Sequence, residues 1–134
     1  MPEKLTVLLV SDGREPFEKL ELALDNQGVK TYRAERSAEV PVLLEQPDSP
    51  QMIFTDTTLS DGTWADVLGL AARQMVPVIV VSRLVDHELY IQSLERGAFD
   101  FMVPPFVSAD LAHIVKCAAW NRSTRRVTPA SLAA

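Results

Sequence analysis

The stretch QMIFTDTTLSDGTWADVLGLAARQ, residues 51–74, changes from one type of secondary structure to another within a single segment. Its first part, QMIFT, is short, apolar and nearly free of polar alternation, which is typical of a strand covered on both faces. Beyond it, Thr63 and Asp66 have the spacing of a capping box, and apolar residues then recur at helical spacing. The stretch predicts a buried strand that ends at Asp56 and is followed by a helix.

The same order of strand and helix recurs along the whole chain. Apolar runs predict strands at 5–10, 51–55, 77–82 and 99–103, and the alternating segment 29–34 predicts an edge strand. Helical spacing predicts helices at 14–28, 37–46, 63–74, 86–97 and 108–123, with Pro41 near the start of the second. Alternating β and α units imply a parallel sheet with right-handed crossovers and helices on both faces.

Composition limits the classes of protein to which the chain can belong. Hydrophobic residues make up 47% and charged residues 23% of its 134 residues, as in ordinary soluble domains. No apolar run approaches the roughly 18 residues of a membrane span, and the N-terminal apolar segment is too short for a signal peptide. The single Cys117 cannot form an internal disulfide. We therefore expect a cytoplasmic domain without a membrane segment.

The charge balance and the last part of the chain lead to two further expectations. A net charge of -5 argues against direct nucleic-acid binding by the domain, apart from a local group formed by Arg122, Arg125 and Arg126. Helical periodicity is lost from about Arg122 onwards. The sequence therefore predicts one domain over residues 1–121, followed by a flexible tail or linker stub at 122–134.

Polar side chains stand at the ends of three predicted strands. Asp12 follows the first strand, Asp56 ends the third and Ser82 ends the fourth. In an open parallel sheet the carboxyl ends of the strands form the edge at which ligands bind. Each of these residues could also serve only as a turn or N-cap residue, which is the ordinary use of Asp and Ser at such places.

Two carboxylates at one sheet edge repel each other, and a divalent cation with oxygen ligands relieves the repulsion. Mg²⁺ is the cation that we expect. Such a cation can also hold a phosphoryl group while a carboxylate attacks phosphorus. Asp56 is then a candidate nucleophile, and Ser82 is a candidate hydroxyl donor to the phosphoryl oxygens.

From Leu5 to about Trp120 the chain resembles the receiver domains of two-component response regulators. The resemblance rests on four motifs taken in order, LLVSDG, MIFTDTTLSDGTWADVL, PVIVVS and RGAFDFMVPPF. It implies an α/β fold of the flavodoxin-like type, a (βα)5 three-layer sandwich whose parallel sheet has strand order 2-1-3-4-5.

The resemblance also implies a role for individual residues. Asp56 corresponds to the phosphoacceptor, and Asp12, Asp56 and the backbone carbonyl of Thr58 correspond to the Mg²⁺ ligands. Ser82 and Phe101 correspond to the switch hydroxyl and the switch aromatic. By the same likeness the domain is a signalling module and not an enzyme. It would receive its phosphoryl group from a histidine kinase or phosphotransfer protein. It would act on a downstream effector, or on a second copy, through its last helix-strand-helix face.

Two departures from the pattern of the family change the charge at the site. Ser11 stands where receivers usually have the first of two acidic residues, and Pro104 stands where they have a lysine. Proline supplies neither a charge nor a backbone donor. The basic residues that could replace this lysine are Lys116 and Arg83, and Arg83 is better placed because it follows Ser82 directly.

These departures leave more than one function open. The first is a receiver that accepts a phosphoryl group on Asp56 but switches atypically because Pro104 replaces the lysine. The second is a phosphorylation-independent pseudo-receiver that acts as a protein-protein interaction adaptor. An unrelated flavodoxin-like enzyme or nucleotide binder is disfavoured, because no Gly-rich phosphate loop follows any predicted strand.

Overall fold

The structure is a computed structural model, and it describes residues 5–13 and 15–127, with side chains to residue 120. Its main sheet is parallel and consists of β1 (Thr6–Val10), β2 (Lys30–Ala34), β3 (Met52–Asp56), β4 (Val78–Val81) and β5 (Asp100–Met102). The strands lie in the order β2-β1-β3-β4-β5, so the predicted order 2-1-3-4-5 is confirmed. The sequence also predicted β2 correctly as an edge strand.

Helices follow the strands in alternation along the chain. They are α1 (Phe17–Asn26), α2 (Val40–Leu44, preceded by a 3-10 turn at Ser37–Glu39), α3 (Trp64–Ala72), α4 (His87–Glu95) and α5 (Ser108–Val127). The short second helix has Pro41 in its first turn, where the missing N–H would have no helical partner in any case. The flavodoxin-like α/β architecture expected from the resemblance is confirmed.

Two apolar layers cover the sheet because side chains alternate between its faces along each strand. Val7 and Leu9 of β1 pack in one layer with the buried faces of α1 and α5, whereas Leu8 and Val10 pack in the other with α2 and α3. In β3, Phe54 lies in the first layer and Ile53 in the second. The predicted apolar stripes of α1, α3 and α5 therefore face the sheet.

Helix α5 is longer than the sequence indicated. It continues through residue 127, so regular helix extends into the segment that we expected to be a flexible tail or linker stub from residue 122. Arg, Ser and Thr are compatible with a helix, and the sequence has no Gly or Pro in this segment before Pro129. The remainder of the predicted tail, residues 128–134, lies outside the described residues.

The turn between β3 and α3 contains a two-stranded ribbon that the sequence did not predict. Thr58–Leu59 pairs antiparallel with Gly62–Thr63, directly after the carboxyl end of β3. The predicted capping box then starts α3, with the Thr63 hydroxyl accepting from Ala65 N and Asp66 accepting from Thr63 N at 2.9 Å. These bonds fix the loop that follows Asp56.

Within the described ranges, no helix is long and apolar enough to cross a lipid bilayer.

Candidate functional site

A cleft of about 770 Å³ opens at the carboxyl edge of the sheet. Within the described ranges its charged lining residues are five carboxylates and one guanidinium: Asp12, Glu15, Glu18, Glu35, Asp56 and Arg83. Thr58 also contributes to the wall. We call this region the acidic cleft. It brings together Asp12 and Asp56, as expected for residues at the carboxyl ends of neighbouring parallel strands, and Thr58, which the resemblance had implied as a third ligand.

Asp56 lies at the end of β3 and is 2% exposed. Its Oδ1 accepts hydrogen bonds from the Thr57 backbone N–H at 2.7 Å and from Nη1 of Arg83 at 3.0 Å. Its Oδ2 accepts from Nη2 of Arg83 at 2.9 Å. The carboxylate that the sequence placed at the end of a buried strand is therefore held by a two-point ion pair, which is the strong form of a charge-assisted contact.

Arg83 joins three segments of the edge of the sheet. It follows the end of β4, binds Asp56 at the end of β3, and donates from Nε to the backbone carbonyl of Glu15 at 3.0 Å. Its side chain is 44% exposed, so the outer side of the guanidinium is in contact with water. The sequence had singled out Arg83 over Lys116 as the cation beside Asp56, and this placement is confirmed. Lys116 is exposed on α5 and is not among the cleft residues.

The loop after β1 carries a neutral residue where a second acid was expected in the family. Ser11 is buried, and its Oγ accepts from the Gly13 backbone N–H at 2.9 Å. The hydroxyl thus stabilises the turn that presents Asp12 to the cleft. One carboxylate that would add negative charge to a metal site is absent at this position.

The oxygen donors of the acidic cleft are of a type that fits Mg²⁺, but they are few. No group of three or more His, Cys, Asp or Glu side chains in the described part of the chain is arranged to hold a metal. Asp12, Asp56 and a backbone carbonyl at Thr58 are oxygen donors of the type that Mg²⁺ prefers, and this ion commonly binds through one or two carboxylates while keeping several waters. The Mg²⁺ site remains a prediction.

The two predicted switch residues are not among the residues that line the acidic cleft. Ser82 is buried, and its hydroxyl donates to the carbonyl of Leu84 at 2.6 Å within the turn after β4. Phe101 of β5 is partly buried and contacts Tyr90 of α4 edge to face, with 5.6 Å between the ring centroids. Phe101 therefore contacts α4, whereas Ser82 is bound within the turn that precedes it, and the switching roles of both remain predictions.

Asp61 makes contacts that the sequence analysis missed. Its carboxylate accepts from the Ser37 backbone N–H at 2.8 Å, from the Ser37 hydroxyl at 3.0 Å and from the Ala38 backbone N–H at 3.1 Å. It thereby ties the loop after Asp56 to the start of the 3-10 turn. The Ser37 N–H is the main cause that lowers the pKa of Asp61 below its ordinary value of 3.8.

Replacing Asp61 with Asn is expected to lower stability near neutral pH, because the uncharged amide is a weaker acceptor for these donors. A lowered folded-state pKa contributes stability above the ordinary carboxyl pKa, and this contribution is lost as the pH falls through the folded value. The free energies of unfolding of wild type and Asp61→Asn, measured in urea, should therefore differ near neutral pH and become equal in acid. Ser37→Ala, which removes one of the donors, should lie between them; equal stability of all three chains at neutral pH would contradict the argument.

No family model matches the chain. Curated relatives do. It is 30% identical over 106 residues to the KDP operon transcriptional regulatory protein KdpE of Escherichia coli, covering 78% of this chain and 47% of that protein. It is 28% identical over 109 residues to the transcriptional regulatory protein VxrB of Vibrio cholerae, covering 81% and 43%. A response regulator receiver domain protein from Clostridium thermocellum superposes with a TM-score of 0.75 at 20% identity, covering 90% of this chain and 98% of that one.

The chain is a receiver domain of the response regulator family. It spans less than half the length of the curated relatives named above, at 47% and 43%. The comparison therefore supports a part in two-component signalling for this one domain. The activities and partners of those longer proteins are not assigned to this chain.

Proposed function

We propose that this receiver domain accepts a phosphoryl group on Asp56 from a histidine kinase or phosphotransfer protein. The observation that supports this most directly is the position of Asp56, whose carboxylate ends β3 in a cleft shared with Asp12 and a guanidinium. In the reaction an Asp56 oxygen forms a bond to phosphorus while the bond from phosphorus to the leaving atom of the donor breaks. The product is an acyl phosphate on β3.

The surrounding residues have defined tasks in this proposal. Asp12, Asp56 and the carbonyl of Thr58 would hold Mg²⁺, which when bound supplies positive charge against the phosphoryl oxygens. Arg83 supplies the side-chain cation that Pro104 cannot. Hydrogen bonds to charged groups contribute about 1.5–3 kcal/mol, so a cation at this position matters for phosphoryl capture.

Incubation with acetyl phosphate and Mg²⁺ tests the proposal without a cognate kinase. We expect intact-mass spectrometry to show an adduct of one phosphoryl group per chain, and peptide mapping after borohydride trapping to locate it at Asp56. Failure to form any adduct, even at high donor concentration and long incubation, would contradict the proposal and favour the second candidate.

The second candidate is a phosphorylation-independent pseudo-receiver that acts as a protein-protein interaction adaptor. The specific observation in its favour is the Arg83–Asp56 ion pair, which occupies both carboxylate oxygens, together with the neutral Ser11 beside Asp12. An adaptor of this kind would bind its partner equally well before and after treatment with acetyl phosphate. The atypical pattern at Ser11 and Pro104 is compatible with either candidate.

We further propose that output passes through the α4-β5-α5 face, to a downstream effector or a second copy. Exposed apolar side chains on and beside α4 support this, namely Leu84, Val85, Tyr90, Ile91 and Leu94, and Val107 precedes α5. Direct nucleic-acid binding by this domain is not part of the proposal because its net charge is -5. We propose a cytoplasmic location. Measuring the molecular mass in solution with and without acetyl phosphate tests the binding of a second copy. An unchanged mass would exclude self-association on phosphorylation.

A further inference from the structure

We propose that Arg83 competes directly with the divalent cation for Asp56, so that the guanidinium must leave before Mg²⁺ can bind productively. This inference deepens the proposed function and rests on it for the identity of the cation. It assigns to Arg83 a regulatory role beyond that of a substitute for the missing lysine. It also makes the access of metal to the acceptor depend on a single movable side chain.

The Asp56 carboxylate is already occupied by several hydrogen-bond donors. Two oxygens offer about four lone-pair positions in total. Three donors already use them: Thr57 N and Nη1 of Arg83 at Oδ1, and Nη2 of Arg83 at Oδ2. The Asp56 side chain is 3% exposed, so little of the carboxylate is open to the cleft while Arg83 is bound to it. About one lone-pair position is left, on Oδ2 beside the guanidinium, so a metal gains full access to the carboxylate only when the ion pair opens.

The charge of Arg83 also opposes the binding of a cation at Asp56. A guanidinium stays protonated under all ordinary conditions, so it retains a full positive charge beside Asp56. A divalent cation bound to the same carboxylate would lie within a few ångströms of that charge, and like charges at such a distance repel strongly in a partly buried site. Each cation therefore weakens the binding of the other, and this coupling is reciprocal.

The side chain of Arg83 has room to move. It lies in the turn after β4 and its side chain is 44% exposed, so the guanidinium can rotate into water without uncovering the core. Its departure would also break the bond from Nε to the carbonyl of Glu15. That bond is the contact between Arg83 and the loop after β1, and this loop carries Asp12. Departure of Arg83 would thus remove one of the contacts that hold the loop carrying the other predicted metal ligand.

The test is a titration with Mg²⁺ alone, followed by the fluorescence of Trp64 in a Trp120→Phe background. Trp64 is buried at the start of α3, and its backbone N–H donates to the carbonyl of Thr57, the residue next to Asp56. Trp120 is highly exposed at the far end of the described side chains and would only add background. Calorimetric titration provides a second readout that does not depend on either tryptophan.

We expect Arg83→Ala to bind Mg²⁺ at least tenfold more tightly than wild type, since one charge-assisted hydrogen bond corresponds to about that factor. Arg83→Lys should fall between them, because lysine keeps the charge but cannot bind both oxygens in the same planar manner. Arg33→Ala is the matched control. It removes the same charge and also breaks an ion pair with a carboxylate, that of Glu21, but Arg33 is not among the residues of the acidic cleft.

Equal Mg²⁺ affinity in Arg83→Ala and Arg33→Ala would overturn the proposal, as would weaker binding in Arg83→Ala. Absence of Mg²⁺ binding in every variant would overturn it as well. The outcome is separable from that of the phosphorylation test. If wild type forms no adduct while Arg83→Ala gains affinity for Mg²⁺, the competition stands and the proposed acceptor function fails. If wild type forms the adduct but all variants bind Mg²⁺ alike, the acceptor function stands and the competition fails.

Discussion

Asp56→Asn is expected to abolish the acetyl phosphate adduct completely. An amide is not a competent nucleophile towards phosphorus, whereas the carboxylate that it replaces is. The substitution preserves the size of the side chain, and its single carbonyl oxygen can still accept from Thr57 N or from Arg83. The fold should therefore persist. Intact-mass spectrometry of both chains after identical incubation measures the effect, and a thermal melt confirms that the variant is folded.

Asp61→Asn provides the matched control for this experiment. It removes one carboxylate from the same loop, but from a position that binds Ser37 and Ala38 and is not among the residues of the acidic cleft. We expect it to retain the adduct. An adduct that persists in Asp56→Asn would show that a different side chain accepts the phosphoryl group, and the assignment of Asp56 would then be wrong.

Phe54→Ala is expected to lower the free energy of unfolding by about 3–5 kcal/mol, the usual cost of removing a fully buried phenyl group. Phe54 is 0% exposed and lies in β3, the strand that pairs with both β1 and β4. The loss would be a large share of the roughly 5–15 kcal/mol that stabilises a typical domain. Urea unfolding followed by circular dichroism measures it.

Phe106→Ala is the comparison for this prediction. Phe106 packs against the same apolar layer but is only partly buried, so its removal should cost less than half as much. Equal losses in the two variants would mean that the β3 position is not the better packed one. The experiment bears on the site as well, because Asp56 ends the strand in which Phe54 is buried.

Much of this fold follows from pattern alone. Runs of apolar residues gave the strands, helical spacing gave the helices, and the rule for parallel sheets placed Asp12 and Asp56 at one edge. Arg83 could also be chosen in advance, since it follows a strand end at which few other cations were available. These inferences succeed because they depend on periodicity and chain order, which the sequence records directly.

The long-range contacts within the site could not be predicted from the sequence pattern. The bonds from Arg83 to Asp56 and to Glu15 join residues that are 27 and 68 positions apart. The bond from Ser37 to Asp61 likewise joins two loops. Such contacts depend on loop conformation and on the rotamers of long side chains, neither of which periodicity specifies. Local capping bonds, such as those of Thr63 and Asp66 that start α3, were predictable because donor and acceptor are only a few residues apart.

The acidic cleft has a further consequence for the rate at which phosphoryl donors reach Asp56. Among the described residues its rim carries Asp12, Glu15, Glu18 and Glu35, while the guanidinium of Arg83 is already paired with the acceptor. A small anionic donor must diffuse towards this negative potential, whereas a protein donor can offset it with positive side chains at the encounter surface. Added salt screens the repulsion over a Debye length of about 10 Å at 0.1 M. The salt concentration therefore affects whether a small-molecule donor or a docked protein delivers the phosphoryl group to Asp56 faster.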